Sequence, residues 1–263
     1  MSPQDAFAEV AALPEVADAA ARARSTLDPL LLDRRLRTAG AALAAETALR
    51  NAHASATLEG AEVPLDELRS GSQGSPLLRV AAGVLGVQTG LRAWQNLPPR
   101  QAWAAMAASA GREYLADDLR GRPRTGDESL EDPLHLALAH DPDDVTIRLA
   151  LLAELLQQPT RAPGLVVAAV AHAELLALQP FGAANGVVAR AFGDLLLAQR
   201  GVDPDFLCMT DVGLVSLGRA AYVRAIRAYD TGDPAGVAAW CVHLATAFGR
   251  GALLARQTLD ALA

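Results

Sequence analysis

The chain has 263 residues, 51% hydrophobic but only 4% aromatic, with a formal net charge of −7 and a pI near 5.2. That length sustains an extended core, and the acidic balance supplies no global field to draw in nucleic acid or an anionic membrane surface, so neither is an expected partner. All 23 basic residues are arginine, which excludes a Schiff-base lysine and a lysine-centred phosphate loop.

Alanine and leucine abound and β-branched or aromatic runs are scarce, so the expected fold class is all-α. Apolar positions such as Leu32, Leu36, Ala39 and Leu43 recur at helical spacing between about 15 and 58, predicting one or two long helices. Pro64 and the small polar run 70–76 mark a loop. Helices follow at about 77–96 and 100–115, separated by Leu97-Pro98-Pro99, where proline breaks the helical geometry. The stretch 117–133 contains Gly121-Arg122-Pro123-Arg124-Thr125-Gly126 and several acids without a period, and reads as a solvated loop.

Helices are next expected at about 144–157 and 162–178, the latter with Pro163 near its first turn. The run from Leu165 to His172 is apolar nearly all round, which predicts a central, buried helix. A second buried helix covers 187–199 and stops at Gly201. Two more, at 214–229 and 234–256, are joined by the turn Thr231-Gly232-Asp233. Residues 1–76 form an N-terminal helical region and 77–263 the core and C-terminal helices, together one compact unit without an internal repeat. Cys208 and Cys241 lack C-x-x-C spacing, so a reduced, cytoplasmic protein is expected. The start carries no basic then apolar leader, and the longest apolar stretch is broken by His172 and Glu174, so neither export nor membrane insertion is expected.

Between the two apolar helices stands Gln179-Pro-Phe-Gly-Ala-Ala-Asn-Gly-Val-Val-Ala-Arg190. A glycine-bearing turn that opens a helix presents backbone N–H groups and the positive end of the helix dipole to an anion. Gly182, Asn185 and Gly186 suit this use, because glycine and asparagine adopt positive φ most easily. The segment resembles the signature of the Fic (Fido-domain) family, His-Pro-Phe-x-Asp/Glu-Gly-Asn-Gly-Arg-x-x-Arg, through Pro180, Phe181, Asn185, Gly186 and Arg190. Outside the loop, His172, Tyr222, Gly232-Asp233 and Trp240 are placed as in that family, and the resemblance extends over about 44–248. It implies a Fic-like helical bundle whose signature loop, set between two buried central helices, holds a nucleotide for transfer to a protein hydroxyl. It also assigns 117–133 the role of a flap that docks a protein target.

The departures fall on the reactive positions. Gln179 stands at the general base, Ala183 at the magnesium carboxylate, Ala184 at a loop glycine and Val187 at the first arginine. An amide does not accept a proton near neutral pH, a methyl holds no metal, and an isopropyl group offers phosphate nothing. The site residues implied by the resemblance are therefore Gly182, Asn185, Gly186 and Arg190 for a phosphate, with no intact catalytic or metal-binding group. ATP or another nucleotide without tightly held magnesium is the implied ligand. His172, inside an apolar helix, reads as a hydrogen-bonded structural histidine rather than a substitute base.

Ser55-Ala56-Thr57-Leu58-Glu59-Gly60 is similar to the family's inhibitory pattern, Ser/Thr-x-x-x-Glu-Gly/Asn, whose glutamate pairs with the last signature arginine, here Arg190. Ser55, Glu59 and Gly60 form this inhibitory-type motif, and the pair reads equally as regulation or as a structural clasp. Three functions stay open on the sequence. The first is a catalytically degenerate Fic-like module that binds a nucleotide, a phosphate or a protein partner. The second is a divergent AMP transferase autoinhibited by Glu59, and the third a helical interaction protein with no nucleotide site.

Overall fold

The computed structural model describes residues 5–262 apart from positions 73, 113, 114, 118, 127, 128 and 139. Among the described residues the chain is all-α, without a strand. α1 (Ala6–Ala11) starts at Asp5, whose carboxylate accepts the Ala8 amide at 3.1 Å. α2 (Val16–Leu31) and α3 (Leu36–Leu58) occupy the predicted N-terminal helical stretch. The short α4 (Leu65–Arg69) lies between Pro64 and the 70–76 loop. α5 (Pro76–Trp94) carries proline in its first turn and is capped by Ser75 Oγ, which accepts the Leu78 amide at 3.1 Å. α6 (Pro99–Ala110) follows the Pro98-Pro99 break, and positions 113 and 114 of the expected 100–115 helix lie outside the described residues. α7 (Pro142–Gln157) begins at Asp141, which accepts the Asp143 amide at 2.9 Å.

α8 (Gly164–Leu178) and α9 (Asn185–Gln199) pack along each other at the centre. The far side of α9 is covered by α3, α5 and α6, and α8 is flanked by α7 and by α11 (Arg219–Asp230) and α12 (Pro234–Leu262). Every residue of α9 from Asn185 to Ala198 is buried, and α8 is buried over most of its circumference, as its apolar circumference requires. Each buried leucine in this layer contributes about 1.5–3 kcal/mol.

The structure corrects three boundaries. α6 ends at Ala110 rather than near 115, because the chain turns at Gly111 and Arg112. The helix expected at 214–229 is two, α10 (Thr210–Leu217) and α11, because Gly218 turns the chain at φ 92 while the apolar spacing runs on through the break. α12 extends past 256 to Leu262, carried by the fully buried Ala255 and Leu259. α1 and α4 were not expected, since five or six residues show too little of a helical period. By length and composition α12 could cross a membrane. In the fold it lies against α2, α10 and α11 and buries Trp240, Leu244 and Phe248 in the core.

Candidate functional site

Thr47, Asn51 and Ser55 recur every fourth residue on α3 and share one face of that helix, and Glu59, its C-cap residue, continues the spacing. The first three are buried and each meets the centre of the molecule. Thr47 Oγ donates to the Leu207 carbonyl, and the Asn51 side chain donates to Cys208 O and accepts from the Asp211 amide. Ser55 Oγ accepts from Arg190 Nε at 2.8 Å, and Glu59 Oε1 accepts from Arg190 Nη2 at 2.6 Å. On the facing helix, Gly186, Arg190 and Asp194 follow the same spacing of four. The guanidinium is fully shielded and its carboxylate partner nearly so. Burial opposes the charge on Arg190, but Glu59 and more distant Tyr222 and Asp211 hold the guanidinium protonated above its ordinary value.

Gly186 has a specific reason to be glycine. A Cβ there would collide with Glu59 Oε1 and approach Arg190 Nη1 to 2.9 Å. The carboxylate therefore lies against the first turn of α9, where the amides without intrahelical partners are found. An external anion seeking the helix start meets a negative group supplied by α3.

The turn from Gln179 to Asn185 is left-handed at Ala184, where the resemblance puts a family glycine, but differs from expectation at Gly182, Asn185 and Gly186, which suit positive φ by residue type and do not adopt it. Gln179 has φ 45 and Ala184 φ 61, whereas Gly182, Asn185 and Gly186 have no positive φ. Asn185 is already helical and its side chain clamps the turn instead: Oδ1 accepts the Phe181 amide at 2.8 Å and Nδ2 donates to Phe181 O at 2.7 Å. The positive φ thus falls on two residues with a Cβ, at a cost of about 1–2 kcal/mol each.

The 117–133 segment lies over this turn. Pro123 bridges to Phe181, the Arg124 amide donates to Pro180 O at 2.7 Å, and the Glu131 amide donates to Gly182 O at 2.8 Å. Arg124 Nε also donates to the Gln179 carbonyl at 2.8 Å. Positions 118, 127 and 128 of the segment lie outside the described residues. Two cavities flank the turn. One, of about 580 Å³, is lined by Arg122, Arg124, Ser129, Phe181, Gly182 and Ala183. The other, of about 250 Å³, is lined by Glu59, Arg79, Glu131, Ala184 and Val187. Burial, and next the charge of Glu59, raise the Glu131 carboxyl above its usual range.

Arg124 and Glu131 were missed as individual residues, because nothing local distinguishes them from the other charges in an aperiodic loop. The α3 stripe carried only a weak signal, since Thr47, Asn51, Ser55 and Glu59 are spaced at i, i+4, i+8 and i+12, but Glu46, Arg50, His53 and Thr57 are polar too, so the spacing alone does not single out the buried face. Gly60, exposed at φ 82, turns the chain just after the end of α3 and lines the same cavity as Glu59.

Gln179 is buried, and its amide reaches Asp132 Oδ1 only at 3.4 Å. His172 is also buried, with Nε2 sharing a 2.6 Å hydrogen bond with Tyr222 Oη. Its ring meets Trp240 edge-on at 5.2 Å, and Trp240 Nε1 donates to Ala169 O. Burial first, then Arg190 and His243, hold His172 neutral well below the ordinary histidine range.

These side chains do not fit the magnesium ion that the family's signature holds beside its nucleotide. Ala183 is a buried methyl, Gln179 is an amide and Val187 contributes no charge. What survives is the backbone of the turn, the guanidinium of Arg190 and the carboxylate that engages it.

The structure is similar to a Fic family protein from Desulfovibrio desulfuricans G20, with a TM-score of 0.71 and 19% identity over 93% of this chain and 75% of that one. It is also similar to a fragment of Fic-1 from C. elegans, with a TM-score of 0.68 and 18% identity over 93% of this chain and 72% of that one. No protein-family model and no curated protein matches the sequence. At these identities the likeness is one of architecture, and the helical bundle with its turn between α8 and α9 is the Fic fold.

Proposed function

We propose that this chain is a Fic-fold module that does not transfer AMP, and that its α9 turn takes a nucleotide polyphosphate, without tightly held magnesium, when Glu59 withdraws. The observation that carries this reading is Glu59 lying on the first turn of α9, bonded to Arg190, beside a turn whose base, metal and first-arginine positions are Gln179, Ala183 and Val187. Gly182 and the first amides of α9 supply the phosphate contacts, and Arg190, once freed, supplies the charge. The 117–133 segment, bonded across the turn, is the surface offered to a protein partner. The free, buried Cys208 and Cys241 suit the reducing cytoplasm as its place of action.

Calorimetry with ATP, ADP and GDP, each with and without magnesium, tests the site in the wild type and in Glu59→Gly, once circular dichroism shows the variant folded. Binding is expected in the variant, at least tenfold tighter than in the wild type and indifferent to magnesium. No heat from any nucleotide in the folded variant would leave only an interaction scaffold. Radiolabelled ATP gives the complementary result, because label on the variant or on lysate proteins would establish an autoinhibited transferase instead.

A further inference from the structure

Beside Arg190, α8, α9, α10 and α12 line a cavity of about 20 Å³. Its apolar lining includes Leu165, Leu244 and Phe248, yet it also contains Arg190, Asp194, Thr210 and Asp211. Five buried polar atoms gather there without a hydrogen bond of good geometry: Arg190 Nη1, Asp194 Oδ2, Thr210 Oγ, and both carboxylate oxygens of Asp211, although Thr210 lies close enough to Asp194, and Ser55 to Asp211, to favour their ionised forms. Native proteins leave few such atoms unsatisfied, and each one unsatisfied costs about 1–3 kcal/mol. Five around one cavity point to something that bonds them together. A volume of about 20 Å³ accommodates one water molecule, which needs two to four polar partners.

Water alone does not resolve the charge. Asp194 and Asp211 both face this interior, and two ionised carboxylates there would repel each other in a poorly solvated site. The neighbouring charges are unequal to the task. Arg190 on α9 is already bonded to Glu59 of α3, while Asp203, in the turn after α9, adds more negative charge near Asp194. On the other sides, Ser55 of α3, Gln88 of α5 and Thr210 of α10 contribute dipoles, and Tyr222 of α11 and Cys208 remain neutral because burial raises both. His172 of α8 is held neutral, and α12 presents Leu244 and Phe248 to the cavity and its His243, lowered by burial, to His172.

We propose that this cavity binds one water molecule and one proton, the proton retained by the Asp194–Asp211 pair and the water bridging that pair to Thr210 and Arg190. The arrangement also links the proton to the front of the molecule. When Asp211 ionises, it becomes a second anion for Arg190 and a repelling neighbour for Glu59, so gaining or losing that proton alters the hold on Glu59. Burial raises Asp194, and raises Asp211 to about 6 against the opposing influence of Arg190, in keeping with a pair that does not ionise fully at neutral pH.

Carbon-13 NMR of the aspartate and glutamate carboxyls, titrated from pH 4 to 9 in the full chain, tests the proposal independently of nucleotide binding. The wild type should retain one protonated carboxyl of the pair at pH 7, with the Glu59 resonance shifting as the other ionises. Asp211→Asn should abolish that Glu59 shift and weaken the proton affinity of Asp194 at least tenfold, since the like charge is gone. Because the variant could fail to fold, the wild-type spectrum decides first: both carboxyls ionised at pH 7 would overturn the proposal. An ordered water between Asp211 and Arg190 is expected at crystallographic resolution sufficient to show internal waters, and a dry cavity there would overturn the water bridge.

Discussion

Arg190 and Glu59, 131 residues apart in sequence, meet at 2.6 Å in the interior, with Ser55 Oγ completing the contact through Arg190 Nε. The pair fastens α3 to α9 and places a carboxylate at the start of the helix that follows the turn. Removing one partner strands a buried charge, whereas removing both does not. Arg190→Met and Glu59→Gln should each lose stability, by about 3–5 kcal/mol for the arginine change, and the double variant should recover part of that loss. Urea denaturation of the three variants provides the double-mutant cycle, and strict additivity would show that the pair does not couple.

Two substitutions in the turn should act in opposite directions. Ala184→Gly relieves a left-handed alanine at φ 61, and after the entropic cost of glycine should stabilise by about 0.5–1 kcal/mol. Gly186→Ala places a methyl group against Glu59 and Arg190 and should destabilise, by about 1–3 kcal/mol, the typical range for overpacking. Thermal unfolding of both variants checks the signs.

The hydroxyl of Tyr222 is the partner of His172 Nε2 at 2.6 Å. Tyr222→Phe leaves that nitrogen buried and unpaired, and should cost about 1–3 kcal/mol. The fold should remain intact, as judged by far-ultraviolet circular dichroism, because the ring still fills its place beside Trp240.

Arg124 binds the Gln179 carbonyl from the overlying segment. Arg124→Ala should therefore speed amide exchange at Arg124 and Glu131, whose N–H groups bond the turn, by tenfold or more, the factor that matches the loss of about 1.4 kcal/mol of local closure. Exchange in α8 should not change.

Burial raises Asp211 to about 6 from an ordinary 3.8. The folded chain therefore holds this proton more tightly than the unfolded chain does. The resulting stabilisation is full below the unfolded value near 4 and is lost as pH rises through about 6. His172 acts with the opposite sense: its folded value lies below 6.5, so stability is full above 6.5 and falls as pH drops below it. Asp211→Asn removes the first contribution, lowers that of its neighbour Asp194 and leaves that of His172. Compared with that variant, the wild type should lose stability between pH 4.5 and 7, measured by denaturant midpoints at each pH.

Much of the architecture was legible in the residues. The all-round apolar run of α8 required a central helix, the prolines marked the starts of α5, α6 and α8, and the resemblance of 179–190 and 55–60 to family patterns suggested a meeting of Glu59 with Arg190. Other features were not legible, because they depend on which distant groups become neighbours. Asp194 and Asp211 look like ordinary helix acids until α9 and α10 close around one cavity. The left-handed backbone appears on Gln179 and Ala184 rather than on the glycines, because Asn185 uses its side chain to fix the turn and starts α9 at once.

Sequence by itself determined the helical composition, the order of the long helices and the chemical poverty of the turn, since period, breakers and missing functional groups are local properties. Only the tertiary structure decided where charge is buried, which backbone positions carry strain and what covers the turn. Desolvation, repulsion and hydrogen-bond satisfaction depend on contacts between segments far apart in the chain, and those exist only once the helices have packed.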